Sequence, residues 1–163
     1  MNIYVYAMKM EKEGENYYRE LEAKVKNPGL KKILNFLANQ EVKHYNVLAD
    51  MSKENPTPTM AEEALLNDVK TVFSGFKGNL DISDFEKDEI AFYEKARDLE
   101  KSAYEFYTEK AEQTMIDTHK EIFLRIAEEE KEHVNIMEAL MDFTASPEKW
   151  IEDAEFNKIG EDY

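Results

Sequence analysis

Cysteine is absent from the 163 residues, so the chain encodes no disulfide framework, thiolate metal site, iron–sulfur cluster or cysteine nucleophile. Any metal site must be built from oxygen and nitrogen donors. Long apolar runs are missing too: no stretch of about 18 apolar residues occurs, so no membrane-spanning helix is expected. The opening Met-Asn-Ile-Tyr-Val-Tyr-Ala-Met-Lys-Met lacks a basic start followed by an apolar stretch and a cleavage site, and a soluble, cytoplasmic protein is expected. Positive charge is scarce, with 21 Lys and Arg against 36 Asp and Glu. The resulting net charge of -15 repels nucleic-acid phosphates and anionic membranes, so neither is expected as a partner.

Glycine and proline are few, at 5 and 4 residues, and they mark boundaries between helical stretches. With 42% hydrophobic and 35% charged residues, the composition favours long amphipathic helices over strands. Apolar residues recur at helical spacing in four segments. The first runs from about Asn2 to Lys26 and stops at Asn27-Pro28-Gly29. The second runs from about Gly29 to Ser52, before Asn55-Pro56-Thr57-Pro58. The third runs from about Asp84 to Met115, capped by Ser83 or Asp84, and the fourth from Asp117-Thr118 to about Ala145.

Residues 53–83 separate the second helix from the third, with a short helix predicted over Met60 to Phe73. A 25-residue helix is about 37 Å long, and this segment is long enough to cross a bundle and leave those helices parallel. The expected fold is therefore all-α: a four-helix bundle over residues 1–145 with one long crossover between helices 2 and 3. A tail, residues 146–163, opens with Ser146-Pro147-Glu148 and carries Trp150, Ile151, Ala154 and Ile159. It reads as a short C-terminal helix that packs on the bundle or at a subunit contact.

Sliding the chain against itself by 89 positions superposes the first two helices on the last two. Twelve positions of residues 1–51 are then identical, against about three expected by chance. They include Glu11 with Glu100, Tyr18 with Tyr107, Glu41 with Glu130 and His44 with His133. In each copy a Glu precedes a Glu-x-x-His by 30 residues, which places all three at similar heights in a helical hairpin.

These residues lie on the stripes that should be apolar. The first helix reads Tyr4, Ala7, Glu11, Gly14, Tyr18, Leu21, Val25, and the second Ile33, Leu37, Glu41, His44, Leu48, Met51. The third reads Ile90, Tyr93, Ala96, Glu100, Ala103, Tyr107, Ala111, and the fourth Ile122, Ile126, Glu130, His133, Met137, Leu140. Four unpartnered buried carboxylates would each cost several kcal/mol or take up a proton. Two divalent cations would neutralise them, with both histidines binding as neutral imidazoles. The oxygen and nitrogen donors suit iron or manganese, and zinc would also bind. His119 lies outside the motif and is expected at the surface or as a cap. Tyr18 and Tyr107 fit either core packing or hydrogen bonds to the ligand carboxylates.

The stretches Met10 to Gly14, Tyr17-Tyr18, Ala38 to His44, Leu99 to Lys101, Tyr104 to Tyr107 and Ala127 to His133 resemble the ferritin-like di-iron carboxylate family, in particular its rubrerythrin branch. The resemblance implies two iron ions, with Glu11 and Glu100 as terminal ligands, Glu41 and Glu130 as bridges, and His44 and His133 as nitrogen ligands. It implies a di-iron oxidoreductase that reduces hydrogen peroxide or dioxygen. Rubrerythrins usually carry a further carboxylate where this chain has Ala103, and a Cys-ligated rubredoxin module that it lacks. Electrons would then come from an external donor protein. Iron oxidation with storage or delivery is a second reading, and a non-enzymatic, metal-stabilised binding protein a third. A homodimer is expected.

Overall fold

The computed structural model describes residues 2–53 and 89–146. Over these residues the chain is an all-α ferritin-like bundle of four helices: α1 (Ile3–Lys24), α2 (Pro28–Ser52), α3 (Glu89–Gln113) and α4 (Asp117–Ala145). The crossover, its short helix, the Ser83 or Asp84 cap and the tail helix expected from the sequence fall at residues 54–88 and 147–163, outside the described residues. Among the described residues no helix is long and apolar enough to cross a membrane.

Local chemistry sets the helix ends. Asn2 accepts from the Tyr4 amide at 2.7 Å and starts α1. Asn27 adopts an extended backbone, and its Oδ1 accepts from the Gly29 and Leu30 amides at 2.8 and 3.1 Å. It is thus the N-cap of α2, and Pro28 enters the first turn, where its missing N–H costs nothing. This moves the start of α2 one residue before the expected Gly29. The links 25–27 and 114–116 are too short for anything but antiparallel hairpins.

Two cross-hairpin contacts fix how the hairpins meet. Tyr18 of α1 reaches Glu100 of α3, and Tyr107 of α3 reaches Glu11 of α1. A later residue of each helix meets an earlier one of the other, so α1 and α3 run antiparallel. Since α1 also opposes α2, helices α2 and α3 run parallel, and Ser52 and Glu89 lie toward opposite ends of the bundle.

The apolar core forms two clusters. One includes Tyr18, Leu34, Leu37, Ala96, Ile136 and Leu140, and the other Ala7, Leu48, Ala103, Tyr107, Phe123 and Ile126. Each helix passes from one cluster to the other at its ligand-type residue: Ala7 to Tyr18 through Glu11, Ala38 to Leu48 through Glu41, Ala96 to Ala103 through Glu100, and Ala127 to Ile136 through Glu130. Apolar packing above and below therefore holds one polar layer at mid-bundle. The expected stripes are buried apart from Tyr4, Gly14 and Ile90, which are half-buried.

Candidate metal centre

The spacing i, i+3 puts Glu41 and His44 one turn apart on one face of α2, and Glu130 and His133 likewise on α4. Glu11 and Glu100 come from α1 and α3. The structure brings all six side chains into one cluster, none more than 5% exposed. His44 Nδ1 lies 2.9 Å from Glu130 Oε1 and 3.5 Å from Glu11 Oε2. His133 Nδ1 lies 3.4 Å from oxygens of Glu41, Glu100 and Glu130. The imidazole rings stack 6.1 Å apart.

These atoms face one another without satisfying one another. Glu11 Oε2, Glu41 Oε1, both Glu130 oxygens and the Nδ1 atoms of His44 and His133 are buried with no aligned hydrogen-bond partner. Orphaned groups of this kind are rare in protein interiors and call for an ion. The ligand-type atoms fall into two sets, each with its atoms within 4.8 Å of one another: Glu11, Glu41, His44 and Glu130, and Glu41, Glu100, Glu130 and His133. Glu41 and Glu130 belong to both. The donors fit two divalent cations of borderline hardness sharing two carboxylates.

Electrostatics support the same fit. Burial, then the charges of Glu100, Glu11 and Glu130, push the Glu41 carboxyl well above its ordinary 4.5. Burial followed by the charges of Glu100 and Glu11 raises Glu130 to about 8. Burial alone would lower both histidines, but Glu11 draws His44 well above 6.5, and Glu100 draws His133 to about 10. Burial would raise Glu11 and Glu100; the adjoining carboxyl of Glu41 and the His44 charge hold Glu11, and the adjoining carboxyl of Glu130 and the His133 charge hold Glu100, below the usual carboxylate range. Two neutral carboxyls, two carboxylates and two imidazoliums sum to zero. Two divalent cations carry the same charge as the four protons they would displace.

The flanking groups aim the cluster. Tyr18 donates to Glu100 Oε1 at 2.5 Å, and Tyr107 donates to Glu11 Oε1. The sequence left packing and hydrogen bonding open for these tyrosines, and they do both, being at most 1% exposed. His44 Nε2–H donates to Glu129 Oε2 at 2.6 Å, which turns Nδ1 toward the cluster. Lys43 lies 3.5 Å from the other oxygen of Glu129. Sequence reasoning passed over Glu129 because it sits in the acidic run Glu128-Glu129-Glu130. The repeat held the signal, since it pairs Glu129 with Gln40, a buried polar residue just ahead of Glu41.

Gly14 was also passed over as a functional position. A Cβ there would stand 3.3 Å from Cδ and Oε2 of Glu41, so glycine in mid-helix leaves room for that carboxylate. Beside it a cavity of ≈ 230 Å³ between α1 and α3 is lined by Met10, Gly14, Leu99, Ala103 and the edges of Glu11, Glu41 and Glu100. It gives access to the cluster on the α1–α3 side. His119 corrects the sequence expectation: it is 5% exposed, neither a surface group nor a cap, and its Nδ1 meets the Tyr4 hydroxyl at 2.8 Å. Tyr4 covers it from α1, a contact 115 residues apart that helical periodicity does not reveal.

Searches of curated proteins and of solved structures found no match. A family model described as Rubrerythrin matches residues 2–141, most of the chain, covering α1 to α3 and α4 as far as Met141. With that match added to the bundle and its buried carboxylate and histidine layer, the chain belongs to the rubrerythrin family.

Proposed function

We propose that the chain is a di-iron oxidoreductase that reduces hydrogen peroxide or dioxygen with electrons from an external donor protein. The observation that carries this reading is the convergence of four carboxylates and two imidazoles, in which Glu11, Glu41, His44, Glu130 and His133 each have a buried ligand-type atom that lacks a partner. Glu41 and Glu130 would bridge, Glu11 and Glu100 would be terminal ligands, and His44 and His133 would bind through Nδ1. Iron bound there supplies paired one-electron steps, so that two ferrous ions give an oxidant two electrons at once.

The protein's part is holding and access. Tyr18 and Tyr107 orient the terminal carboxylates from the opposite hairpin, and Glu129 fixes the ring of His44. Room beside Gly14 lets the Glu41 carboxylate change its mode of contact. The cavity along Met10, Leu99 and Ala103 admits an oxidant of two oxygen atoms easily. Apolar packing on either side excludes bulk water.

Stopped-flow oxidation of the ferrous-loaded protein by peroxide and by dioxygen tests the reading. Oxidation faster than that of free ferrous iron, with turnover once a reductant is supplied, is expected. Rates no faster than free iron would contradict it. Size in solution separates it from iron storage, which needs a closed shell, whereas the homodimer we propose has no storage cavity. Tight zinc binding with large stabilisation and no redox turnover would instead favour metals that only hold the bundle together.

A further inference from the structure

Tyr4 and His119 form a pair that the metal cluster does not use. The Tyr4 hydroxyl meets His119 Nδ1 at 2.8 Å, with the rings edge to face at 5.7 Å. From this pair aromatic rings lead inward. Tyr4 stacks on Phe123 at 6.2 Å and 17°, and Phe123 stacks on Tyr107 at 6.2 Å and 26°. Tyr107 then donates to Glu11 at the cluster.

The internal repeat supplies the control. At the offset of 89, Tyr107 corresponds to Tyr18 and Tyr4 to Tyr93, but Phe123 corresponds to Leu34 and His119 to Leu30. Both leucines are 0% exposed, so this fold packs well at those places without an aromatic ring or a base. Tyr93 has no imidazole partner and donates to Glu89 at 2.9 Å. Among the described residues, the Tyr4 side alone joins the tyrosine to the cluster by stacked rings and gives it an imidazole as its base.

A phenol gives up an electron far more readily when its proton can leave at the same time to a neighbouring base. Burial holds His119 below its ordinary value and Tyr4 above its own, so a neutral phenol donates to a neutral imidazole. We propose that Tyr4 and His119 are a redox-active tyrosine and base that feed electrons to the metal centre through Phe123 and Tyr107. The proposal rests on the di-iron reading. Dioxygen needs four electrons and four solvent protons to become two waters, and two ferrous ions reaching the ferric state supply two electrons. Tyr4 supplies the third. Its O–H bond breaks, the electron passes inward, and the proton binds His119 Nδ1, leaving a neutral tyrosyl radical beside an imidazolium. The external one-electron donor restores the electron, the proton returns to the Tyr4 oxygen, and a second passage through the pair delivers the fourth. A second electron from the same donor restores Tyr4 again as His119 returns its proton.

Rapid freeze-quench electron paramagnetic resonance of the ferrous-loaded protein mixed with dioxygen tests this, with ring-deuterated tyrosine to identify a tyrosyl signal. The signal should appear in the native chain, vanish in Tyr4→Phe, and fall several-fold in Phe123→Leu and His119→Leu. The last two install residues that the other hairpin already accommodates, so iron content should not change. A signal undiminished in Tyr4→Phe, or bound iron that oxidises with no tyrosyl signal, overturns the proposal. A second arm does not need iron: the full chain prepared without it is photo-oxidised by a ruthenium tris-bipyridine complex with persulfate as electron acceptor. There the Tyr4-dependent radical yield should fall several-fold in His119→Leu. Equal yields in the native chain, Tyr4→Phe and His119→Leu overturn the pair, whatever becomes of the di-iron reading.

Discussion

Tyr18 on α1 donates its hydroxyl to Glu100 on α3 at 2.5 Å, so a residue of the first hairpin holds a carboxylate of the second. Removing it strips a buried charged acceptor of its donor. Tyr18→Phe should cost about 1–3 kcal/mol in the metal-depleted protein. The loss should shrink when zinc is bound, because the metal then satisfies Glu100. Thermal denaturation with and without zinc measures both, and equal losses in the two states would argue against Glu100 as a ligand.

Glu129 acts through His44, whose Nε2–H it accepts. Glu129→Ala should weaken metal binding by about 10–100-fold while leaving the helices intact. Glu129→Gln, which copies the residue the repeat places at Gln40, should cost less. Zinc-binding isotherms of the three proteins provide the comparison, and an unchanged affinity in Glu129→Ala would remove Glu129 from the site.

The shifted groups set a pH dependence. Glu130 rises from 4.5 to about 8 on folding and His133 from 6.5 to about 10. Each contributes stability that is complete below its unfolded value and is lost as pH rises through its folded value. Glu11 and Glu100 are shifted down and contribute above 4.5, losing that contribution as pH falls further. The metal-depleted protein should therefore melt at progressively lower temperature from about pH 5 to 9, while zinc binding tightens over the same range because fewer protons must be displaced. A melting temperature that climbs over that range in the depleted protein would contradict this electrostatic account.

Gly14→Ala puts a methyl group 3.3 Å from the Glu41 carboxylate. Alanine favours a helix by about 1 kcal/mol over glycine, so helicity should be kept or improved. Metal affinity should nonetheless fall as Glu41 is displaced. Circular dichroism together with a zinc isotherm separates the two effects, and an undiminished affinity would show that the space beside Gly14 is not needed.

The bundle and the meeting of Glu11, Glu41, His44, Glu100, Glu130 and His133 were legible in the sequence because charged residues stood at the centre of otherwise apolar stripes, and the 89-residue repeat placed them at matching heights. Periodicity says which face of a helix is buried, but not which neighbour it meets. That is why Tyr18 was not assigned to Glu100 or Tyr107 to Glu11, contacts 82 and 96 residues apart. His119 misled for the same reason, since its partner lies on another helix. Glu129 was hidden by composition, in a chain where acidic residues usually mean a solvated surface.

Anaerobic titration with ferrous iron, followed by metal analysis of the separated protein, tests the central claim most directly. Two irons per chain are predicted in the native protein, with strongly reduced occupancy in Glu41→Ala and His133→Ala and helicity largely kept in both. No saturable iron binding, or two irons retained in either variant, would contradict the claim that this buried layer is a di-iron site.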